Sequence, residues 1–394
     1  MKCRMKSIKR YILTLAGIFF FFCADASEDT TRLAGLRHSF GFNLRPTYVM
    51  PTHGFYRGYG ETGSPIYFSQ AAHLQYDFSF SPDSPAGRIC PSAYQGIGIG
   101  LFSFFDHENI GTPAALYIYQ GATLLHLSEH LTLGYEWNLG YSYGWRRNSA
   151  VGSRGNVLIN VGLQLKHRLS QGLDLVIGPE YTHFSNGDTR FPNGGANTFG
   201  VRIGLKGGLR DNSPVQRRAA GFGESWKNLS FAERMDYDLI AFGAWRAARL
   251  SYDYHLHIIN RPFPLGGIQF NPLYRLDDLL CLGPSVDLLV DRSVNLKDLV
   301  IDGQSGELVG FSYPSLKDQF SAGISFRGEL TMPIFSVNIG AGVNMIMTGK
   351  DMKPFYAVFN LKGFVSESGF ILIGYRLSSL QYTHNLMFGV GFRL

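Results

Sequence analysis

Along most of the chain, apolar and polar residues alternate one for one. In LTLGYEWNLGYSYGW, residues 131–145, one parity carries Leu131, Leu133, Tyr135, Trp137, Leu139, Tyr141, Tyr143 and Trp145. The other carries Thr132, Gly134, Glu136, Asn138, Gly140, Ser142 and Gly144. Successive side chains of a strand point to opposite faces, so this pattern makes a ribbon that is oily on one side and small or polar on the other. The same division recurs in NVLINVGLQLK (156–166), FSAGISFRGELTM (320–332) and SVNIGAGVNMIM (336–347).

The pattern predicts strands at 36–50, 67–80, 95–107, 114–127, 131–145, 155–167, 172–185, 197–209, 236–248, 265–276, 280–292, 319–332, 334–347, 354–366, 368–379 and 384–394. That is sixteen. The segments at 114–127 and 236–248 alternate poorly, which leaves fourteen or twelve open. Strands of soluble sandwiches run to about 5 to 6 residues. These are longer and approach the roughly 9 to 11 that a tilted strand needs to cross a bilayer. Tyr and Trp at the ends of the oily face suit aromatic girdles, and the small polar face suits a lumen. The predicted fold is all-β: an antiparallel transmembrane β-barrel of the bacterial outer membrane spanning 27–394, with no second domain. Short turns such as Ser170-Gln171-Gly172 would face the periplasm, and the long interruption at 210–235 would be a periplasmic connection.

Composition narrows this further. Only 17% of the 394 residues are charged, while 14% are aromatic and 47 are glycine. A charged fraction of about 25% is usual for soluble domains. The N-terminus carries Lys2, Arg4, Lys6, Lys9 and Arg10, then YILTLAGIFFFFC, then Ala24-Asp25-Ala26, the layout of a secretory signal cleaved after Ala26. Cys23 as a lipidation site fits less well, because Phe22 stands where a small residue is wanted. Cleavage would remove five basic residues and one acidic one from a formal charge of +6, leaving +2. The basic character therefore resides mainly in the leader, and no basic face remains for a nucleic-acid partner. Two cysteines would remain, Cys90 and Cys281, open to a single disulfide or to two thiols.

Chemistry is suggested at GPEYTHFSNGDTRFPNGGAN, residues 178–197. Alternation puts Tyr181, His183 and Ser185 on the oily face of one predicted strand, and Asn197 on the oily face of the returning one. A serine hydroxyl becomes a nucleophile when an imidazole accepts its proton, and the imidazole needs a third group to fix its tautomer. Ser185, His183 and Asn197 supply those types where two antiparallel strands emerge into a loop. Asn186 and the Gly187 amide are candidates to stabilise an oxyanion. Without catalysis, the same residues would simply be interfacial polar groups ending a porin strand.

The segment His183-Phe184-Ser185-Asn186-Gly187, followed by Pro192-Asn193-Gly194-Gly195-Ala196-Asn197, resembles the active-site region of outer-membrane lipid A 3-O-deacylases, also called acyloxyacyl hydrolases. The resemblance covers residues 95–210. It implies Ser185 as nucleophile, His183 as general base and Asn186 in the oxyanion hole, with lipopolysaccharide of the outer leaflet as substrate and no cofactor. The chain departs from that family in carrying Asn197 where a Glu stands, and in running about 185 residues beyond an eight-stranded barrel. The segment also resembles outer-membrane phospholipase A, whose His-x-Ser-Asn-Gly motif is followed by an Asn twelve residues after the Ser, as Asn197 follows Ser185. That family's acidic calcium ligands are poorly matched, Asp188 being the single acid in the loop, so no metal is expected. Lipid A deacylation, phospholipid hydrolysis and a non-catalytic pore are thus the three readings.

Two other motifs carry less. Asp106-His107-Glu108-Asn109 has no second ligand cluster and reads as a solvated loop. Tyr382-Thr383-His384 echoes Tyr181-Thr182-His183 with no serine after it, and reads as part of an aromatic girdle.

Overall fold

The computed structural model describes residues 36–394 apart from 61, 83, 209–228, 253–254, 278, 302–307, 350 and 379–381. The predicted signal peptide and most of the 210–235 connection lie outside the described residues, as do the side chains of Tyr382, Thr383 and His384.

Eight antiparallel strands form a first closed barrel: β1 (Arg37–Val49), β2 (Phe68–Ser79), β3 (Tyr94–Ser103), β4 (Gly111–His126), β5 (Leu131–Trp145), β6 (Gly155–Ser170), β7 (Leu173–Ser185) and β8 (Ala196–Gly208). Closure comes from β8 pairing back on β1, with Leu44 opposite Ile203 and Tyr48 opposite Phe199. A second closed barrel is made of β9 (Met235–Tyr252), β10 (His255–Arg275), β11 (Leu280–Asp291), β14 (Phe320–Thr331), β15 (Phe335–Ile346), β16 (Phe355–Phe364), β17 (Gly369–Ser378) and β18 (Tyr382–Arg393). Here β18 returns to β9, with Phe392 opposite Leu239. A hairpin of β12 (Lys297–Ile301) and β13 (Leu308–Ser312) stands between β11 and β14, and the alternation had not revealed it.

All sixteen predicted strands exist, the two weakly alternating ones included, and the expected all-β outer-membrane barrel architecture holds. The expectation of one large barrel does not: the strands close as two rings of eight. The lumens give the physical reason. In the first, Arg202 pairs with Glu136 and, at 3.1 Å, with Glu180, which Arg45 also reaches at 3.2 Å. Lys206 meets Asp77 at 2.8 Å and lies 3.7 Å from the centroid of the Tyr94 ring. In the second, Lys362 is paired with both Asp238 and Glu329, Arg393 bridges the same two acids, and Arg327 reaches Asp287 at 2.7 Å. Buried charges need partners within direct reach. Eight strands enclose an interior that side chains can fill, whereas sixteen would leave an aqueous channel separating these pairs.

The outward parities carry the lipid-facing residues. Leu74, Ile99, Val161 and Ile203 are exposed on the first barrel, and Phe270, Ile324, Phe326, Ile339 and Val390 on the second. Among the described residues no helix is long and apolar enough to cross a membrane. Cys90 and Cys281 are both free thiols, which leaves the disulfide alternative unrealised.

Candidate active site

At the end of β7, residues alternate as the sequence implies: Thr182 and Phe184 point inward, while Tyr181, His183 and Ser185 point outward. Phe184 fixes this orientation. It is 1% exposed and lies edge-on to Trp145 and Phe102, with ring centroids 4.9 Å and 5.1 Å away. These rings belong to an apolar cluster with Val49, Phe55, Ile110 and Leu158 that fills this end of the first barrel. Rotating the strand to turn His183 inward would expose Phe184 and bury an imidazole among aromatic rings.

β8 then delivers Asn197. It stands directly opposite His183 in the antiparallel register. Its Oδ1 lies 2.7 Å from His183 Nδ1 and accepts from the Tyr181 hydroxyl at 2.6 Å, while its Nδ2 donates to Thr52 Oγ1 at 3.0 Å. With Nδ1 as the donor, His183 Nε2 keeps its lone pair, the tautomer required of a base. Thr52 is held there because Met50 N donates to Asn197 O at 2.8 Å as β1 ends.

The loop after β7 is organised by asparagines. Asn186 N donates to Asn193 Oδ1 at 3.1 Å, and Asn186 Nδ2 donates to the Arg190 carbonyl at 2.7 Å. The backbone N–H of Asn186 and one of its two Nδ2–H groups are therefore engaged in shaping the loop. Gly187 follows with φ +67° and Asp188 with φ +65°. The β5–β6 loop braces this one: Gly152 N donates to Pro192 O at 2.7 Å, and Gly194 N to Ala150 O at 2.8 Å. Gly195 has φ +64°, and a Cβ there would lie 2.5 Å from the Phe184 carbonyl and 3.3 Å from His183 Cε1, so glycine is required beside the imidazole.

Ser185 departs from what its place on the oily face of the strand would suggest. Although on the outward parity, it is only 4% exposed, because the second barrel comes up against it. Its Oγ lies 3.1 Å from the hydroxyl of Tyr375 on β17. Leu386 on β18 packs on Gly187 so closely that a Cβ there would lie 2.7 Å from Leu386 Cβ, and Ala247 N of β9 donates to the Asp188 carbonyl at 2.9 Å. Farther along the wall, Trp137 meets Phe335 edge-on at 5.6 Å. Thus His183 and Asn197 are joined directly, while Ser185 has its hydrogen bond with a residue of the other barrel. Tyr181 was legible as the residue two before His183. Thr52 and Tyr375 carry no local signal, lying 145 and 190 positions from their partners.

The loop motif Asp106–Asn109 is a local turn in which Asp106 accepts from Asn109 N at 3.0 Å and from its side-chain amide.

Two family models match the chain. The one described as "Lipid A 3-O-deacylase (PagL)" matches residues 136–206, which contain His183, Ser185 and Asn197. The one described as "Acyloxyacyl hydrolase, C-terminal domain" matches residues 235–394, the whole second barrel with Tyr375 and Leu386. Together they cover more than half the chain. No curated protein matches it. Among solved structures, Neisserial surface protein A aligns over 44% of this chain and 98% of its own at 8% identity, with a TM-score of 0.30. The translocator domain of autotransporter NalP from Neisseria meningitidis aligns over 98% and 97% at 9% identity, with a TM-score of 0.21. Omp33 of Acinetobacter baumannii aligns over 91% and 99% at 8% identity, with a TM-score of 0.17. These alignments are too loose to bear on activity.

Proposed function

The chain belongs to the lipid A 3-O-deacylase family, and from that premise we propose that it is an outer-membrane serine ester hydrolase whose nucleophile, base and orienting residue are Ser185, His183 and Asn197. The substrate is lipid A, and the bond broken is an ester linking a fatty acyl chain to the sugar. The carrying observation is the 2.7 Å contact of Asn197 Oδ1 with His183 Nδ1, on the same outward face of the barrel wall as Ser185. A neutral amide is enough to select the tautomer, and Tyr181 and Thr52 hold that amide from both ends.

In the reaction, His183 Nε2 takes the Ser185 hydroxyl proton as Oγ bonds to the ester carbonyl carbon. The carbonyl electron pair moves onto oxygen, and the tetrahedral adduct collapses by breaking the C–O bond to the sugar, whose oxygen receives the proton from His183. Water then repeats the sequence on the acyl-enzyme and releases the fatty acid. Because the residues point outward from the barrel wall, at the seam where the second barrel covers Ser185, the ester would arrive laterally along that seam rather than through a lumen. Both lumens are filled by paired side chains, which argues against conduction.

Phospholipid hydrolysis is the second reading, favoured by an asparagine rather than a carboxylate as the partner of His183. Mass spectrometry of lipid A and of phospholipid after incubation with purified protein, beside Ser185→Ala, separates them. A lipid A species lighter by one acyl chain, absent with the variant, is the expected result. Lysophospholipid instead would transfer the site to the phospholipase reading, and no change in either lipid would end the catalytic one.

A further inference from the structure

The proposed nucleophile lies at a seam, and the second barrel covers it with one polar group. We propose that Tyr375, carried on β17 of the second barrel, is a catalytic residue whose hydroxyl donates to the oxyanion formed when Ser185 attacks, so that the C-terminal barrel completes the active site. This rests on Ser185 being the nucleophile.

Three observations converge. Tyr375 Oη is 3.1 Å from Ser185 Oγ, which sets the phenol beside the carbon that Oγ would attack, on the side where it can meet one of that carbon's oxygens. The loop commits two of the three N–H donors of Asn186, its backbone N–H to Asn193 and one Nδ2–H to the Arg190 carbonyl, so a further donor from outside the loop would share the charge with the Gly187 amide. The position of Tyr375 is also built rather than incidental. It is paired in register with Leu386, and Leu386 packs on Gly187, while β9 anchors the next residue through Ala247 N to Asp188 O at 2.9 Å. Three strands of the second barrel thus grip the residues just after the nucleophile.

With Tyr375 donating, the Ser185 hydroxyl proton is left for His183 Nε2. As Oγ bonds to the carbonyl carbon, the electron pair displaced onto the ester oxygen is met by the Tyr375 O–H and the Gly187 N–H. The phenol keeps its proton throughout, and collapse of the adduct returns the pair to carbon as the sugar oxygen leaves with the proton held by His183. No further reactant is involved.

The test uses the full-length protein in detergent with a soluble chromogenic ester, comparing wild type, Tyr375→Phe and Ser185→Ala. Loss of one oxyanion donor lowers kcat by about 10²–10³-fold, so Tyr375→Phe is expected to lower kcat by about that factor with KM within twofold. A merely structural contact would not produce that split. A kcat within threefold of wild type would overturn the proposal. A rise in kcat would also overturn it, since Tyr375 would then be a latch that withholds Ser185 from His183. If the variant fails to fold, fluorinated tyrosine at position 375 retains the shape and changes only donor strength: kcat that tracks phenol acidity supports the role, and unchanged kcat refutes it. A fluorophosphonate probe, mapped by peptide mass spectrometry, keeps the two levels apart. If wild-type Ser185 is not labelled, the nucleophile assignment falls and this inference falls with it. If Ser185 is labelled and Tyr375→Phe behaves as wild type, only the role of Tyr375 falls.

Discussion

Replacing Asn197 by alanine isolates how much the orienting residue contributes. Asn197 makes three side-chain contacts: it accepts from Tyr181 at 2.6 Å, meets His183 Nδ1 at 2.7 Å and donates to Thr52 at 3.0 Å. Hydrogen bonds contribute about 0.5–1.5 kcal/mol each in net terms, with partly exposed ones at the low end, so Asn197→Ala should destabilise the fold by only about 1–2 kcal/mol. The effect on rate should be larger. In a Ser-His-Asp protease, an orienting residue that favours the wrong tautomer lowers kcat by about 10⁴, or about 5.4 kcal/mol at 1.36 kcal/mol per decade. Alanine favours neither tautomer and leaves Tyr181 and Thr52 in place, so the expected loss is smaller, about 10²–10³-fold in kcat, or about 3–4 kcal/mol. Asn197→Asp is the informative partner. Its carboxylate accepts from His183, from Tyr181 and from the rotated Thr52 hydroxyl, and should keep kcat within about tenfold of wild type. The assay is initial-rate ester hydrolysis in detergent, with folding checked by heat-modifiable gel mobility. Asn197→Ala with kcat within threefold of wild type would refute the claim that the 2.7 Å contact governs the base.

Other perturbations read the scaffold. Gly195→Ala puts a Cβ at φ +64° against the Phe184 carbonyl and next to His183; a strained backbone of this kind costs about 1–3 kcal/mol, and activity should fall along with the unfolding midpoint. Phe184→Ala removes a ring packed between Trp145 and Phe102, an expected loss of about 3–5 kcal/mol measured by denaturant titration. Lys362→Met removes one of the two cations that Asp238 and Glu329 share in the second lumen, with Arg393 remaining, so the destabilisation should stay below the about 3–5 kcal/mol of a fully broken buried pair; a midpoint unchanged by the substitution would contradict the pairing. Unfolded, unreduced protein prepared without residues 1–26 should take up two equivalents of maleimide, one each at Cys90 and Cys281.

Alternation by itself determined the membrane-barrel class, most strand boundaries to within a few residues, and which side chains point outward, although β10 starts at His255, ten residues before the predicted 265. A strand's side-chain period is a local property, and the bilayer rewards it at each residue independently of the rest of the fold. The same local rule put His183 and Ser185 on one face, and antiparallel pairing through a short loop brought Asn197 opposite His183. Other features depended on contacts that no local pattern encodes. The alternation reads identically for one barrel or two, and the division was decided by which edges pair, β8 with β1 and β18 with β9, together with lumen charges that must meet their partners. The β12–β13 hairpin is short and lacks a bilayer-length pattern. The hydrogen bonds of Asn186 to Asn193 and Arg190 emerged only once the loop had folded. Thr52 and Tyr375 reach the site from 145 and 190 residues away, Thr52 through the closure of one barrel and Tyr375 through the contact of two. Such proximity is created by closing and docking sheets, so it belongs to the tertiary structure alone.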